Sequence, residues 1–531
     1  MLRFDYIVIG AGSAGSAVAA RLSEDGRSRV LALEAGGSDK RFAILMPAAS
    51  AFFAITNPRY DWRYTSEADP TRGGREDYMP RGKVLGGTSS INATSYVRGK
   101  PSDYDGWAQA GCVGWDFQSV LPYFKRSENN QNGADEYHGV GGPLAVSNMR
   151  SRHPLSEEFL QSCVNAGLRR MADINTPPQE GVGYVPLTQR RGWRVSASRA
   201  YLWPATRRPN LEVLTHAHVM RILLDGRRAT GVEFRRGGQV VQAEATKAVV
   251  LCAGAFGSPQ LLMLSGIGPG GHLRDKEIEV VHDLQGVGQN LQDHPCVSQI
   301  AWVDRATYNV ERGPLNTLRY GLLWLIFGMG PGSSPVAQVA GFARCHPDRE
   351  RPCVQYLFTP AGFTLSEKGT AMFDKPAITG LTNLYRTYST GSVRLKSKDP
   401  FELSIIQPNL LSDERDIEGL MAAARFQRKI FETEPISNSV VAEHMPGKDV
   451  QTDDEWRAFI RETSSGGYHP SCTCKMGIDP MAVVDPSLRV HGIERLYVAD
   501  ASIMPYLVSA NPNATTIMIG EKASDMIRAA A

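Results

Sequence analysis

Residues 4–37, FDYIVIGAGSAGSAVAARLSEDGRSRVLALEAGG, constrain this chain more tightly than any other stretch. Residues 6–9 are a short apolar run with β-branched members, the pattern of a strand buried on both faces. GAGSAG follows, and Ala14, Ala17, Val18 and Leu22 then recur at helical spacing before a second strand-like run over 30–33. Each glycine has a separate task in such a unit. Gly10 permits a tight turn, Gly12 lets backbone approach a pyrophosphate, and Gly15 lets the helix pack closely on the strand. The helix N-terminus presents free N–H groups and the positive end of its dipole to an anion. Glu34 closes the second strand about 20 residues on, where a carboxylate binds ribose hydroxyls and repels a 2′-phosphate. Strand, turn, helix, second strand and acid together predict a dinucleotide site for NAD or FAD rather than NADP.

Further along, PRGKVLGGTSSINATSYVRGKPSDYDGW (80–107) gathers small residues that let backbone donors wrap a planar or charged ligand. The strand-like run 248–254 leads into GAFGSPQLLMLSGIGP (254–269), a second strand–glycine turn–helix unit closed by Gly266 and Gly268. The central third has strand-like patterns at 354–361, 390–397 and 401–409, and an amphipathic helix over 416–432 whose Met421 and Phe426 are expected in a core.

With 531 residues the chain has material for two or more domains, and a net charge of only +3 argues against a nucleic-acid partner. Its 8 cysteines do not read as a disulfide framework. Cys472 and Cys474 stand two apart with no second pair at zinc spacing, so no metal is expected. The N-terminus enters a strand directly, without the apolar region and cleavage site of a signal peptide, which predicts a cytoplasmic protein. YGLLWLIFGMG (320–330) is too short to span a bilayer. A buried helix is the simple expectation there. The alternative is a weak membrane-surface contact, or a quinone entrance, through Trp324, Ile326 and Phe327.

Taken in order, these motifs resemble the glucose–methanol–choline (GMC) oxidoreductases, flavoenzymes that oxidise alcohols. GAGSAG with Glu34 is similar to their FAD-ADP site, GKVLGGTSSIN (82–92) to a first signature, and GAFGSPQLLMLSGIG (254–268) to a second. VGQNLQDH (287–294), YHPSCTCKMG (468–477) and the block 500–527 extend the likeness to the C-terminus, and it is thinnest in the central third. The resemblance implies an α/β Rossmann-like FAD-binding domain assembled from 1–153, 210–300 and 465–531. It also implies an α+β substrate domain with a large antiparallel sheet, from 154–209 and 301–464. By position it assigns FAD contacts to Gly12, Ser13, Ala14, Glu34, Val84, Gly86, Thr88 and Asn92. Val219 falls where backbone holds the adenine, Asp500 and Ala501 at the ribityl–pyrophosphate, and Asn513 and Thr515 near the flavin ring. Some members tether the flavin through a histidine just before the Asn92 position; Ile91 stands there, so non-covalent FAD is expected.

Alcohol oxidation removes a proton from oxygen and a hydride from carbon, and a flavin accepts the hydride. The protein must supply a base near neutral pKa within hydrogen-bond reach of the hydroxyl. Of 11 histidines, His469 takes the family position, after Tyr468 and before Pro470. Asn511 falls where the family places a second histidine or an asparagine, and an amide can donate to a developing alkoxide. His469 is therefore expected to carry the proton and Asn511 to orient the hydroxyl, although Asn511 in Asn-Pro-Asn also reads as a turn residue. The expected substrate is a primary alcohol on an aromatic, furanic or medium aliphatic group, with dioxygen or a quinone-type carrier as electron acceptor. Gly467, where some oxidases of the family carry a branched residue, favours the dehydrogenase reading. The anchoring glutamate of choline-specific members falls at Gln338, which argues against choline. A polyol such as sorbose, the choline dehydrogenase reaction, a hydroxynitrile lyase without net redox chemistry and an NAD-dependent dehydrogenase are the alternatives.

Overall fold

Apolar runs from both ends of the chain meet in one sheet. The computed structural model describes residues 2–178, 180–311, 313–344 and 351–530. The strand Leu2–Ile9 pairs in parallel with Val30–Leu33 on one side and with Gln239–Leu251 on the other. Leu211–Leu214 adds in parallel to Val30–Leu33. Gln239–Leu251 runs antiparallel to Arg228–Arg236 through its first half and parallel to Leu496–Val498 through its last residues. His218–Asp225 closes the far edge. Ile7, Val8, Leu31, Ala32, Val249 and Val250 are fully buried, as a parallel sheet covered on both faces requires. The helix Ser13–Leu22 packs beneath the C-terminal helix Asn513–Ala530. A Cβ at Gly520 would lie 2.6 Å from the Ala14 carbonyl oxygen, so the two helices touch backbone to backbone.

A second sheet is antiparallel throughout. Its order is Val440–Met445, Pro295–Val303, Ala377–Leu384, Val354–Thr359, Val339–Ala343 and Gly181–Tyr184, with Ser465–Gly466 on the end of Pro295–Val303. Strand alternation divides its two faces. Val297, Ala301, Val354, Tyr356 and Ile378 point to a core covered by the helix Glu414–Phe431. Met421 is buried in that core and Phe426 lies 5.6 Å from the Tyr356 ring, as the amphipathic pattern predicts. Ser298, Ile300, Leu357, Leu381 and Asn383 face the opposite way, into a cavity. Pro295–Val303 straddles the expected division at residue 300, because this strand pairs wholly within the second sheet.

The strand-like runs at 390–397 and 401–409 do form strands, Ser392–Arg394 with Ile405–Gln407, in a ribbon separate from the large sheet. One expectation is corrected. The helix over the 320–330 stretch, Pro314–Phe327, is not a buried helix: Trp324 is 1% exposed, whereas Leu315 is 84% and Phe327 58% exposed. Trp324 is locked between the Trp193 ring at 4.1 Å and the Phe42 ring at 5.7 Å, and the other faces of the helix meet little protein. Among the described residues, no helix is long and apolar enough to cross a membrane. Cys112, Cys163, Cys252, Cys296, Cys472 and Cys474 are free and buried, and Cys353 is disulfide-bonded. Cys345 lies outside the described residues.

Candidate active site

The two sheets enclose a cavity of about 1510 Å³ that runs from Gly10, Gly12, Ser13 and Ala14 to His469 and Asn511. That is larger than the roughly 300–1,000 Å³ of a typical ligand pocket, room for a dinucleotide with a substrate beyond it. Gly10 has φ +91°, and a Cβ there would lie 2.5 Å from the Cys252 carbonyl oxygen. Gly15 lies under the helix rather than on the cavity wall: its Cβ would stand 1.9 Å from the Gly10 carbonyl oxygen and 3.0 Å from Cys252 Cβ. Gly12 caps the first helix without a side-chain hydrogen bond, which leaves first-turn N–H groups for an anion. Gly87 lies so close that its Cβ would be 2.8 Å from Gly12 Cα, bringing the 82–92 loop onto the helix start.

At the second strand's end, Glu34 Oε2 accepts from Ala11 N at 3.1 Å and Oε1 from Gly36 N at 2.8 Å. Burial pushes its carboxyl up to about 7, despite those two bonds. The carboxylate keeps further lone pairs for ribose hydroxyls, and Val219 lines the same end of the cavity. Asp500 Oδ2 accepts from Gly254 N at 2.9 Å and from Ser258 Oγ at 2.5 Å, pinning the C-terminal segment to the second glycine turn. Ala501, Thr88 and Asn92 also line the cavity, with Asn92 Oδ1 held by Arg194 Nη1 at 2.8 Å. Ser13 Oγ donates to Asn513 Oδ1 at 2.8 Å, tying the two ends of the chain together across the wall. An open helix N-terminus, a carboxylate at the second strand and glycines shaved to backbone contact fit FAD.

Besides Gly15, three of the expected cofactor residues are not on the wall. Val84 packs in an apolar cluster with Ile44, Tyr60 and Ile91. Gly86 shapes the loop, with φ +84° and a Cβ that would strike Ser90 Oγ at 2.3 Å. Thr515 turns away to bond Tyr104 Oη at 2.8 Å, while Asn513 and Thr516, three apart on the same helix face, line the cavity.

At the other end, Asn511 Nδ2 and His469 Nε2 are 3.0 Å apart. Asn511 Oδ1 accepts from Gln355 Nε2 at 3.3 Å and Tyr385 Oη at 3.4 Å. Two donors on that oxygen fix the orientation of the amide, so Nδ2 donates to His469 Nε2. A neutral His469 then carries its proton on Nδ1, which stands 2.9 Å from His294 Nδ1 and donates to it. Asp293 Oδ1 takes the backbone N–H of both His469 and His294, each at 2.8 Å. Burial, reinforced by the Arg81 charge, pushes the His469 imidazole down to about 3, well below the near-neutral value expected of a base. Gly467 is packed against this pair: a Cβ there would lie 3.1 Å from the His294 carbonyl oxygen and 3.2 Å from His469 Nδ1.

Sequence reasoning missed Arg81, Asp293, His294, Gln355, Tyr385 and Asn383. Two of these, Asp293 and His294, stand in the VGQNLQDH run, where adjacent titratable residues in a marker motif were the available signal. Gln338 is buried away from the cavity. Its Oε1 accepts from His153 N (2.9 Å) and Ser156 Oγ (2.8 Å), and its Nε2 donates to Ser334 Oγ (2.8 Å) and Tyr308 Oη (3.1 Å). A side chain so fully committed has no part in anchoring a substrate. Cys472 and Cys474 are buried thiols pushed far above their ordinary range by burial, and no metal-ligand cluster occurs among the described residues.

Family models for GMC oxidoreductase match residues 4–296 and 387–520. The chain is 43% identical over 535 residues to the mitochondrial choline dehydrogenase of Homo sapiens, covering 99% of this chain and 90% of that one. It is 43% identical over 526 residues to the oxygen-dependent choline dehydrogenase of Brucella canis, covering 98% and 95%. The crystal structure of pyridoxine 4-oxidase from Mesorbium loti superposes with a TM-score of 0.89 at 32% identity, covering 98% of each chain. On motifs, fold and relatives alike, the chain belongs to the GMC oxidoreductase family of FAD-dependent enzymes that oxidise alcohols.

Proposed function

We propose that the protein oxidises a primary alcohol to an aldehyde, with His469 taking the hydroxyl proton at Nε2 and Asn511 orienting the hydroxyl through Nδ2. The 3.0 Å pairing of these two atoms on the cavity wall carries the reading. FAD, held non-covalently, supplies the hydride acceptor. The depressed pKa keeps His469 neutral at working pH, so its Nε2 lone pair is available, though as a weaker base than a near-neutral imidazole. An entering hydroxyl takes the place of Asn511 Nδ2 on that lone pair, and Nδ2 then donates to the oxygen as charge develops on it. His294 Nδ1 holds the other face of the ring throughout, which fixes both tautomer and angle. FAD contacts fall to the wall residues Gly10, Gly12, Ser13, Ala14, Glu34, Thr88, Asn92, Val219, Asp500, Ala501 and Asn513. The division of the chain into FAD-binding segments 1–153, 210–300 and 465–531 belongs to the same reading. Asn511→Ala is expected to slow anaerobic flavin reduction about tenfold, the worth of one hydrogen bond to a charged group; an unchanged rate would return Asn511 to the role of a turn residue.

The wall beside His469 carries Cys296, Ser298, Leu381 and Asn383, none of them charged. Asn383 is 4% exposed and its Nδ2 has no hydrogen-bond partner. An unmet buried donor costs about 1–3 kcal/mol, so an alcohol with an oxygen or ring-nitrogen acceptor near its carbinol gains over a plain alkanol. Asn383→Leu is expected to raise KM for hydroxymethylfurfural about tenfold while leaving octanol unchanged; an equal effect on both would remove Asn383 from substrate recognition. Choline is the second reading, favoured by the names of the 43% identical relatives. Glu311, on the wall with Tyr308 and Tyr320, supplies a carboxylate in aromatic surroundings for a quaternary ammonium. An anaerobic panel of benzyl alcohol, hydroxymethylfurfural, octanol, sorbose and choline decides between them by flavin bleaching. The electron acceptor is dioxygen or a quinone-type carrier: rapid recolouring in air with peroxide selects the first, slow recolouring the second. A cytoplasmic protein with a weak membrane-surface contact suits a lipid-soluble carrier.

A further inference from the structure

Three elements around the cavity mouth carry apolar side chains outward. On Pro314–Phe327, Leu315, Leu318, Leu322, Leu325, Ile326 and Phe327 are exposed while only Trp324 is buried. Phe42 lies edge-on to Trp324 at 5.7 Å and is itself exposed, as are Phe52 and Phe53 at the end of the helix Pro47–Phe53. Phe42, Phe52, Phe53, Thr317 and Tyr320 also line the cavity, so this apolar face and the entrance to the active site are one surface.

The charges around it are positive on balance: Glu311, which accepts from Tyr320 Oη at 3.0 Å, and the exposed Glu367 are the acids that also line the cavity beside it. Residues 40–60 contain Lys40, Arg41 and Arg59 and no Asp or Glu; residues 313–343 contain Arg319 and no Asp or Glu. All four basic side chains are exposed. Arg150 closes the helix C-terminus, donating from Nε to Gly328 O at 3.1 Å and from Nη2 to Phe327 O at 3.1 Å. Exposed aliphatic and phenyl groups within a rim that is basic on balance are what a helix lying in an anionic lipid interface presents. The helix has 14 residues, about 21 Å at 1.5 Å per residue, too short to cross a bilayer but long enough to lie along one.

We propose that this face docks on an anionic phospholipid bilayer and sets the cavity mouth against it, so that a lipid-soluble electron acceptor reaches the active site without crossing water. The acceptor clause rests on the alcohol-oxidation reading above; the docking itself does not. The test is sedimentation of the FAD-loaded protein with vesicles of phosphatidylcholine alone and of phosphatidylcholine with phosphatidylglycerol. Binding is expected to the second, weakening as salt rises. Leu325→Glu combined with Ile326→Glu should lower vesicle affinity at least tenfold with flavin content and alcohol-driven bleaching intact, since neither residue lines the cavity. Lys40→Gln with Arg41→Gln should weaken binding to the anionic vesicles alone. Failure to sediment with either composition would overturn the proposal. So would light scattering that shows a dimer broken by the Leu325/Ile326 pair, which would give the face to a second copy of the chain. Vesicle binding without alcohol oxidation, or the reverse, separates this proposal from the reading of the site.

Discussion

His469→Ala is expected to slow flavin reduction by an alcohol by about 10²-fold or more, the usual worth of a positioned general base. The effect should be large because no neighbour can take over. Asn511 Nδ2 has no lone pair to offer, and its Oδ1 is engaged by Gln355 and Tyr385. His294 is within 2.9 Å of His469, but through Nδ1 on the side of the ring away from Asn511. Arg75 and Arg81 on the wall donate only, and Asp293, whose carboxyl burial raises to about 6, does not line the cavity. Anaerobic stopped-flow in the flavin absorbance band, read against flavin content, measures the step directly. The pH dependence is a second signature. Protonated His469 cannot accept the hydroxyl proton, so activity falls as pH drops through its pKa. With that pKa pushed down to about 3 by burial and Arg81, kcat/KM should stay flat where an ordinary imidazole, near 6.5, would already have lost its base form. Near-normal flavin reduction in His469→Ala would remove His469 from the role of base. An acid limb near 6.5 in the parent enzyme would show that the imidazole is not held neutral.

The parts of this molecule legible from sequence were those whose physics is local. The GAGSAG turn could be read because a positive φ, a close backbone approach and a shaved helix contact each demand glycine, and Gly10 and Gly15 meet those demands in the structure. The run 30–33 announced itself as an unbroken apolar stretch after the glycine turn and helix, and the helix over 416–432 by its period. Matching by position was weaker where it had to specify a direction. Thr515 lies two residues from Asn513, but about half a turn of helix separates their directions, and only a three-dimensional frame distinguishes it from Thr516. The contact between His294 and His469 joins residues 175 apart, and nothing in either neighbourhood names the other. The helix Pro314–Phe327 failed for the opposite reason. Its apolar composition is the same whether its partner is a protein core or a surface outside the chain, so composition could not say which of its sides protein would cover.

Gly15→Val is expected to give protein with almost no bound flavin, or none that stays soluble. Even the first atom of a side chain at this position lies 1.9 Å from the Gly10 carbonyl oxygen and 3.0 Å from Cys252 Cβ. Relief requires the helix Ser13–Leu22 to lift off the sheet, and it has nowhere to go. On its other side the C-terminal helix is already in backbone contact, with the Gly520 Cβ position 2.6 Å from the Ala14 carbonyl oxygen. Overpacking a tight core costs about 1–3 kcal/mol where neighbours can shift, and here the neighbours are main chain, a Cβ fixed to it, or a packed helix. Displacement of this helix also moves Gly12, Ser13 and Ala14, whose backbone is proposed to hold the pyrophosphate, and strains the 2.8 Å bond from Ser13 Oγ to Asn513 Oδ1 that ties the last helix to the first. Cofactor loss and destabilisation should therefore appear together, as a collapse of the flavin-to-protein absorbance ratio and a lowered melting temperature. Gly15→Ala, with the smallest Cβ, should show the same change in lesser degree. Gly271→Val is the matched control, since a Cβ there meets nothing within 4 Å, and it should keep its flavin. A full complement of FAD in Gly15→Val would mean that the cofactor does not depend on the close seat of this helix, and the dinucleotide reading of residues 4–37 would have to find another footing.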